Sequence, residues 1–526
     1  MNLPKQPAGT RRLFMICLQL ALGSSIWGYN IGILSSVLVH PGWRGALHDP
    51  EPAQKGLVTG FYYVGTLIAY VFLSHPLADL LGRRYAAQAG TLVLCLGALV
   101  MAAAAGRYAL GIMVVGRGIC GLGVGVVSTT VPLYQSEMSP AKERGKYVTM
   151  NHVGFVAGLA TGLWAGFFVT FWKGTAGQYW GWRMLILVQL LPSVFFAAML
   201  PYIPETPRWL LQTGDMEKAS KVLHWLREDV DEPADIAHEL HAINRDIEAY
   251  RQGQDSFFAR SLALFREKPL FARMWRAFLL QFMAQMCGAT AIKYYLPTLL
   301  KALGLGTRLA LMAGAVEMTA KIGLTVVEMC IIDRFGRKAC LAGGSVVMAV
   351  AMLINGALPQ IFPKNVSTVA DAICIAFIFV YAMGYSLGLG PAAWVYSSEI
   401  FPTTYRARGL NFAASGGSIG SIIVAQIWPM GVAKFGSGIY FFFFAVNAIC
   451  VPVIWLLYPE TKGCALEDMD LLFQRCSRAG TSMDLHGLAD QEEDQEPPGV
   501  GAARNPADRG PETGNEAAEA QPLLSQ

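Results

Sequence analysis

Charge is scarce in this 526-residue chain: only 15% of its residues are Asp, Glu, Lys or Arg, against roughly one quarter in soluble domains. That scarcity disfavours a soluble enzyme of two or three domains. Net charge is scarce as well, with 41 basic against 37 acidic residues for a formal +4, which offers no electrostatic footprint for nucleic acid. The ten cysteines fall in or beside apolar runs and none pairs at metal-ligand spacing. No metal site and no disulfide scaffold is expected, and the thiols read as packing residues. No Gly-x-x-x-x-Gly-Lys-Ser/Thr stretch occurs, so no nucleotide-driven step and no cofactor is implied. Gly121-x-Gly123-x-Gly125 lies inside an apolar run with no preceding strand and reads as close helix packing.

What is abundant is apolar. Hydrophobic residues make up 54% of the chain, with 55 glycines and 21 methionines, a composition that fits helices packed in lipid. A bilayer core of about 30 Å needs about 20 apolar residues of helix. Twelve such runs are predicted, near 13–39, 56–78, 85–105, 108–130, 148–172, 183–203, 274–298, 309–332, 339–358, 369–396, 409–430 and 437–458. The first follows Arg11 and Arg12 and is too long for a signal-peptide core, so it stays as helix 1 with a cytoplasmic N-terminus. The short loops agree through the positive-inside rule. Arg83/Arg84, Lys142/Arg144/Lys146, Arg334/Arg337/Lys338 and Arg406/Arg408 cluster inside, whereas the outer loops hold single charges such as Arg107, Lys364 and Lys434. Asn365-Val366-Ser367 is a glycosylation sequon in a predicted outer loop.

The chain is therefore expected to be an all-α, multi-pass integral membrane protein. It divides into a six-helix bundle over 1–203, a polar linker over 204–273, a second six-helix bundle over 274–470 and a tail over 471–526. Within the linker, Glu217–Glu228 and Ala234–Ala249 have helical apolar spacing and predict a cytoplasmic helical insert. The tail is rich in Gly, Pro, Ala and Glu and is expected to be disordered; in it Glu519 to Leu523-Leu524 has the form of an acidic dileucine signal.

The two halves repeat one another. Asp79-x-x-Gly82-Arg83-Arg84 recurs as Asp333-x-x-Gly336-Arg337-Lys338, Glu137 with Arg144 as Glu399 with Arg406, and Pro204-Glu205-Thr206 as Pro459-Glu460-Thr461. Three motifs in one order, at nearly one offset, mark a duplication of six spans in the same orientation. With Gly116-Arg117-Gly118, Pro132-Leu-Tyr134-x-Ser-Glu137, Gly181-Trp182-Arg183 and Pro459-Glu460-Thr461-Lys462-Gly463, the chain over roughly 13–470 resembles the sugar porter family of the major facilitator superfamily, fungal members above all. The resemblance implies the major facilitator fold and an inter-helix gate on the cytoplasmic side. Asp79, Arg83, Arg84, Glu137 and Arg144 would form it in the first half, and Asp333, Arg337, Lys338, Glu399 and Arg406 in the second. Topology signals alone explain the basic residues but not the placed carboxylates.

Ionisable residues within spans are functional candidates. By the resemblance, Arg117 and Asn30 stand where family symporters pair an arginine with a proton-carrying aspartate, and both are expected among the substrate-binding residues. An amide has no proton to exchange, so facilitated diffusion is expected. Glu317 or His152 would couple protons otherwise. On the family's sugar contacts, helix 7 keeps Gln285 but has Thr290 for asparagine and adds Lys293. His152 replaces a helix 5 glutamine, Lys321 a helix 8 asparagine, and Gly417-Ser418 a helix 11 Asn-Trp pair, while Tyr385 and Trp394 remain. Amides suit hydroxyls because each donates and accepts; lysines suit a carboxylate. Against that, Glu317 and Lys321 are spaced to pair internally, Lys293 to snorkel outward, and His152 to pack.

The expected function is secondary transport of a monosaccharide or polyol by alternating access, with a sugar-acid or quinate-like anion carrier as the alternative and a non-transporting sugar sensor as a third. The sensor is disfavoured by a tail of only about 50 residues. Expected partners are a small polyhydroxylated solute and the lipid bilayer, with no nucleic acid and the monomer as the working unit. The plasma membrane is the expected site, vacuolar or endosomal membranes the alternatives.

Overall fold

Long apolar runs without strand-like alternation fold as helices, the one way an open chain satisfies its backbone within lipid. The computed structural model describes residues 8–140, 143–230, 232–252, 265–362, 368–401 and 405–461, and every regular element among them is helical. The first half contains α1 (Ala8–Val39), α2 (Pro41–Ala46), α3 (Pro52–Ile68), α4 (Ser74–Leu81), α5 (Arg83–Ala102), α6 (Ala109–Met138), α7 (Arg144–Val169), α8 (Gly174–Val188) and α9 (Leu190–Met199). Three polar helices follow, α10 (Pro207–Gln212), α11 (Met216–Arg227) and α12 (Pro233–Gln252). The second half contains α13 (Lys268–Met286), α14 (Ala289–Ala302), α15 (Thr307–Phe335), α16 (Arg337–Ile361), α17 (Thr368–Leu387), α18 (Leu389–Glu399), α19 (Arg406–Phe435) and α20 (Ile439–Leu457). The dileucine stretch and Asn365 lie outside the described residues, as do the side chains of Arg144, Asp333 and Arg406.

Nine stretches of the described residues are long and apolar enough to cross a membrane, and one of them, Arg408–Leu457, holds both α19 and α20. The two remaining expected spans differ in kind. The seventh is broken at Gly288 into α13 and α14, and the eighth, α15, carries Glu317, Lys321 and Glu328. Side chains such as Phe72, Leu191 and Ile449 are exposed on the outer surface, where lipid covers what water would not.

Within the first half α1 packs on α7, and α3 and α5 on α6; within the second α13 packs on α19, and α16 on α17 and α20. The halves meet where α3 packs on α19, α7 on α15 and α1 on α14. The second span of each half thus lies on the fifth of the other and the two first spans face one another, the arrangement a two-fold axis along the membrane normal produces. Small residues allow the close approach. A Cβ on Gly28 of α1 would stand 1.9 Å from the Phe155 carbonyl of α7.

The polar insert is tied to the first half. Arg227 at the end of α11 forks onto Glu239 of α12 (3.1 and 2.9 Å) and reaches the Met138 carbonyl at the end of α6 (3.2 Å). Arg12 of α1 pairs with Glu228.

Candidate functional site

Two charged clusters stand at the basic end of the bundle, one per half, and their glutamate contacts correspond one for one. In the first, Arg83 donates to Glu137 (2.8 Å) and Asp79 (3.3 Å), and Thr206 donates to the second Glu137 oxygen (2.7 Å). Glu205 accepts from the backbone N–H groups of Arg83 and Arg84 (3.1 Å each). In the second, Arg337 donates to Glu399 (3.0 Å), Thr461 to the other Glu399 oxygen (2.9 Å), and Glu460 accepts from the N–H groups of Arg337 and Lys338 (2.9 and 3.0 Å). The glutamates of the Pro-Glu-Thr motifs therefore cap α5 and α16, meeting free N–H groups and the positive end of the helix dipole. The sequence marked these motifs as repeated without placing them in the clusters. Gly82 and Gly336 make the caps fit: both take left-handed φ (+87° and +92°), and a Cβ would stand 2.5 and 2.6 Å from the capping carboxylates.

One expectation fails here. Arg84 forms no ion pair among the described residues; it donates to the Pro201 and Ile203 carbonyls (3.2 Å each) and stacks on Tyr85, because its helix-start position turns it to the chain end of α9 and away from Glu137. Lys338 lies 4.9 Å from the Trp455 ring. At this end Arg408 of α19 also donates to His75 of α4 (3.1 Å), whose other nitrogen faces Asp79 (3.0 Å), a contact between the halves that the sequence did not mark. At the opposite end Arg308 reaches Thr170 (3.3 Å) and Gln426 the Ala53 carbonyl (3.3 Å).

Between the ends lies a cavity shared by both halves. Its empty volume, counted to the solvent mouth, is about 790 Å³, of which about 80 Å³ admits the centre of a water molecule. At ~10–15 Å³ for each water, that is room for a handful of waters or one ring-sized solute. His152, Gln285, Lys293, Lys321, Tyr385 and Trp394, all expected at the site, line it, and so do Trp27, Tyr63, Thr66 and Gln281. The broken seventh span turns this wall inward. Gly288 adopts φ +107°, and the Cys287 carbonyl freed by the break accepts from Tyr381 (3.1 Å) and Asn447 (2.9 Å), so this carbonyl is not stranded in the core.

The lysines are the unusual feature. Their ammonium nitrogens lie 5.2 Å (Lys293) and 4.9 Å (Lys321) from the centroid of the Tyr385 ring, within cation–π range. Neither makes a hydrogen bond or ion pair among the described residues. Lys293 does not snorkel outward, and the Glu317–Lys321 pair that the spacing allows does not form. Glu317 is buried with Oε2 unpartnered. His152 likewise makes no hydrogen bond among the described residues and packs its ring near Phe155 (5.9 Å between centroids).

Asn30, Arg117 and Thr290, expected on the solute, stand off the cavity wall. Arg117 is fully buried, donates to Asn30 Oδ1 (2.8 Å) and the Tyr294 hydroxyl (3.3 Å), and stacks on Tyr62 (4.4 Å). Asn30 in turn donates to Gln189 (2.9 Å). Thr290 bridges Gln285 and Ser421 (3.1 Å each). These residues support the wall from behind.

Comparison with known proteins agrees with this architecture. The chain is 28% identical over 477 residues to a probable quinate permease of Aspergillus niger, covering 88% of each protein. It is 31% identical to the MFS-type transporter qa-x of Neurospora crassa, covering 88% of this chain and 89% of that one. The xylose transporter XylE of E. coli, in a partially occluded inward-open conformation, superposes with a TM-score of 0.72 at 22% identity, covering 86% of this chain and 99% of that one, a likeness that carries the twelve-helix fold. Residues 16–473 match the sugar (and other) transporter family, and the chain belongs to that family.

Proposed function

We propose that this chain moves a small polyhydroxylated solute through the shared cavity by alternating access, the two halves rocking about it while the basic-end clusters close and open one side. The cavity between paired first, second and fifth spans supports this reading. The clusters support the gating part, since each ties several helices of one half through partly desolvated charges that salt screens poorly. The plasma membrane is the proposed location, where a nutrient carrier meets its solute; a fluorescent fusion found only on internal membranes would contradict it. The helix 1 position adds no proton, because Asn30 is an amide held between Arg117 and Gln189.

The observation that selects among solutes is the pair of lysines without counter-ions. Once a solute displaces the cavity water, an ammonium left without a counter-ion costs several kcal/mol, and a carboxylate on the solute offsets that cost where a neutral hexose cannot. A carboxylate-bearing polyol is therefore favoured over a neutral sugar, and relatives described as quinate permeases point to quinate as a probe. Uptake of quinate and of glucose into proteoliposomes tests this. Lys321→Asn is expected to weaken quinate transport by about tenfold or more, a loss of about 1.4 kcal/mol in transition-state binding, and to change glucose transport little. Equal effects on both would reject the anionic solute and leave a neutral one.

A further inference from the structure

Glu328 has no assigned role and an unusual environment. It lies on α15, two turns beyond Lys321 and on the same face, so that Glu317, Lys321 and Glu328 form a row of charge along one helix. Only 1% of the residue is exposed, and neither carboxyl oxygen has a hydrogen-bond partner among the described residues. Thr325, between Lys321 and Glu328, gives its hydroxyl to the Lys321 carbonyl (2.9 Å). The titratable groups that bear on Glu328 are Lys321 on α15, Cys340 on α16 and Tyr385 on α17, and the Ala392 N–H of α18 faces it outside hydrogen-bond geometry. His152 of α7 and Lys293 of α14 face Lys321 instead.

A carboxylate at this depth with two orphan oxygens is among the costliest groups a membrane protein can hold. A metal cation does not relieve it, since hard cations need several oxygen ligands and no cluster of such ligands forms among the described residues. A proton does. Lys321 can compensate only one anion at a time. When it faces a solute carboxylate, Glu328 must be neutral; when the cavity is empty, Lys321 is free to turn toward Glu328, whose side chain leans back along the helix toward it. We propose that Glu328 is the proton-binding group of the transport cycle, taking up one proton for each carboxylate-bearing solute that Lys321 admits and releasing it when Lys321 returns. The proton's charge balances that of the solute, so the loaded and empty carriers have the same net charge and the cycle is electroneutral. This inference rests on the anionic reading of the cavity.

The test uses the full chain in proteoliposomes with quinate as probe. An acid-outside gradient is expected to drive quinate above equilibrium in the wild type, with no effect of membrane potential. In Glu328→Gln accumulation is expected to fall at least about tenfold, within the usual range of coupling free energies, while quinate counterflow, which needs no net proton movement, stays within about twofold. Accumulation in Glu328→Gln equal to the wild type, or wild-type accumulation driven by sodium or by no gradient, overturns the proposal. Should Glu328→Gln not fold, infrared spectroscopy of the wild type and of Glu317→Gln decides. With quinate bound, both should show the C=O stretch of a buried protonated carboxyl, and its absence overturns the proposal. A folded wild type that transports neither quinate nor glucose in any assay defeats the transport reading, and the infrared band still reports on Glu328.

Discussion

The basic end and the cavity treat charge in opposite ways. At the end, each described glutamate of the clusters is answered twice: Glu137 by Arg83 and Thr206, Glu399 by Arg337 and Thr461, and Glu205 and Glu460 by pairs of backbone N–H groups. In the cavity and just behind it, Lys293, Lys321, Glu317 and Glu328 stand within reach of one another's fields and form no pair among the described residues. The end is also duplicated where the cavity is not. All four unpaired charges belong to the second half, and the cation buried behind the cavity in the first, Arg117, spreads its charge over Asn30, Tyr294 and the Tyr62 ring. The parts that must move together keep their symmetry, and the part that meets the solute has lost it.

The two end clusters differ in depth, and that difference sets the largest expected effect. The Arg83 and Glu137 side chains are 4% and 7% exposed, those of Arg337 and Glu399 14% and 22%. Removing one partner of a buried pair strands the other, at about 3–5 kcal/mol, whereas a wetter pair loses closer to the ~1.5–3 kcal/mol of a charged hydrogen bond. Glu137→Gln is thus expected to lower the melting temperature in detergent more than Glu399→Gln does, and both are expected to slow transport. A larger drop for Glu399→Gln would show that burial does not rank the two gates. The caps should behave alike where the pairs do not. Gly82→Ala and Gly336→Ala each force a side chain into a positive-φ, extended-ψ backbone that is essentially reserved for glycine, at about 1–3 kcal/mol, and each drives a methyl into a capping carboxylate, so near-equal losses of melting temperature are expected. A tolerated substitution in one half would break the symmetry of the caps.

Most of the fold was legible from apolar run length and from the repeat, because both follow from lipid thickness and from duplication. The breaks were less so. Gly288 looks like any glycine in an apolar run until Tyr381 and Asn447, remote in sequence, are found on the freed Cys287 carbonyl. Matching motifs to a family placed His152, Lys293 and Lys321 on the wall, yet also placed Asn30 and Arg117 there, which stand one layer behind it. Spacing along one helix allowed a Glu317–Lys321 pair, but whether two side chains meet depends on what neighbouring helices offer them, and here Tyr385 from α17 draws the ammonium. Glu328 escaped notice because groups of α17 and α18, remote from it in sequence, close over it as well as the adjoining α16. The expectation of facilitated diffusion rested on Asn30, with Glu317 of helix 8 or His152 as the alternative proton carriers.

The smallest expected effect concerns Glu205, outside the spans. Burial pushes its carboxyl above the ordinary range, while the N–H groups of Thr206 and Arg84 and the charge of Arg83 pull the other way. A carboxyl whose folded value lies above the unfolded one, about 4.3, binds its proton more tightly in the native state. The stability it contributes is therefore present below the unfolded value and lost as pH rises through the folded value. That is opposite in sign to a salt-bridged carboxylate, so the cap should be slightly weaker at neutral pH than in mild acid. In Glu205→Gln the amide oxygen can still accept one N–H, the titration is gone, and the pH slope of the melting temperature over this window should flatten. Glu460 accepts the equivalent N–H groups in the second half, so Glu460→Gln is the internal control. A slope unchanged in Glu205→Gln would mean that the three N–H donors around the carboxylate outweigh its burial and hold it ionised throughout.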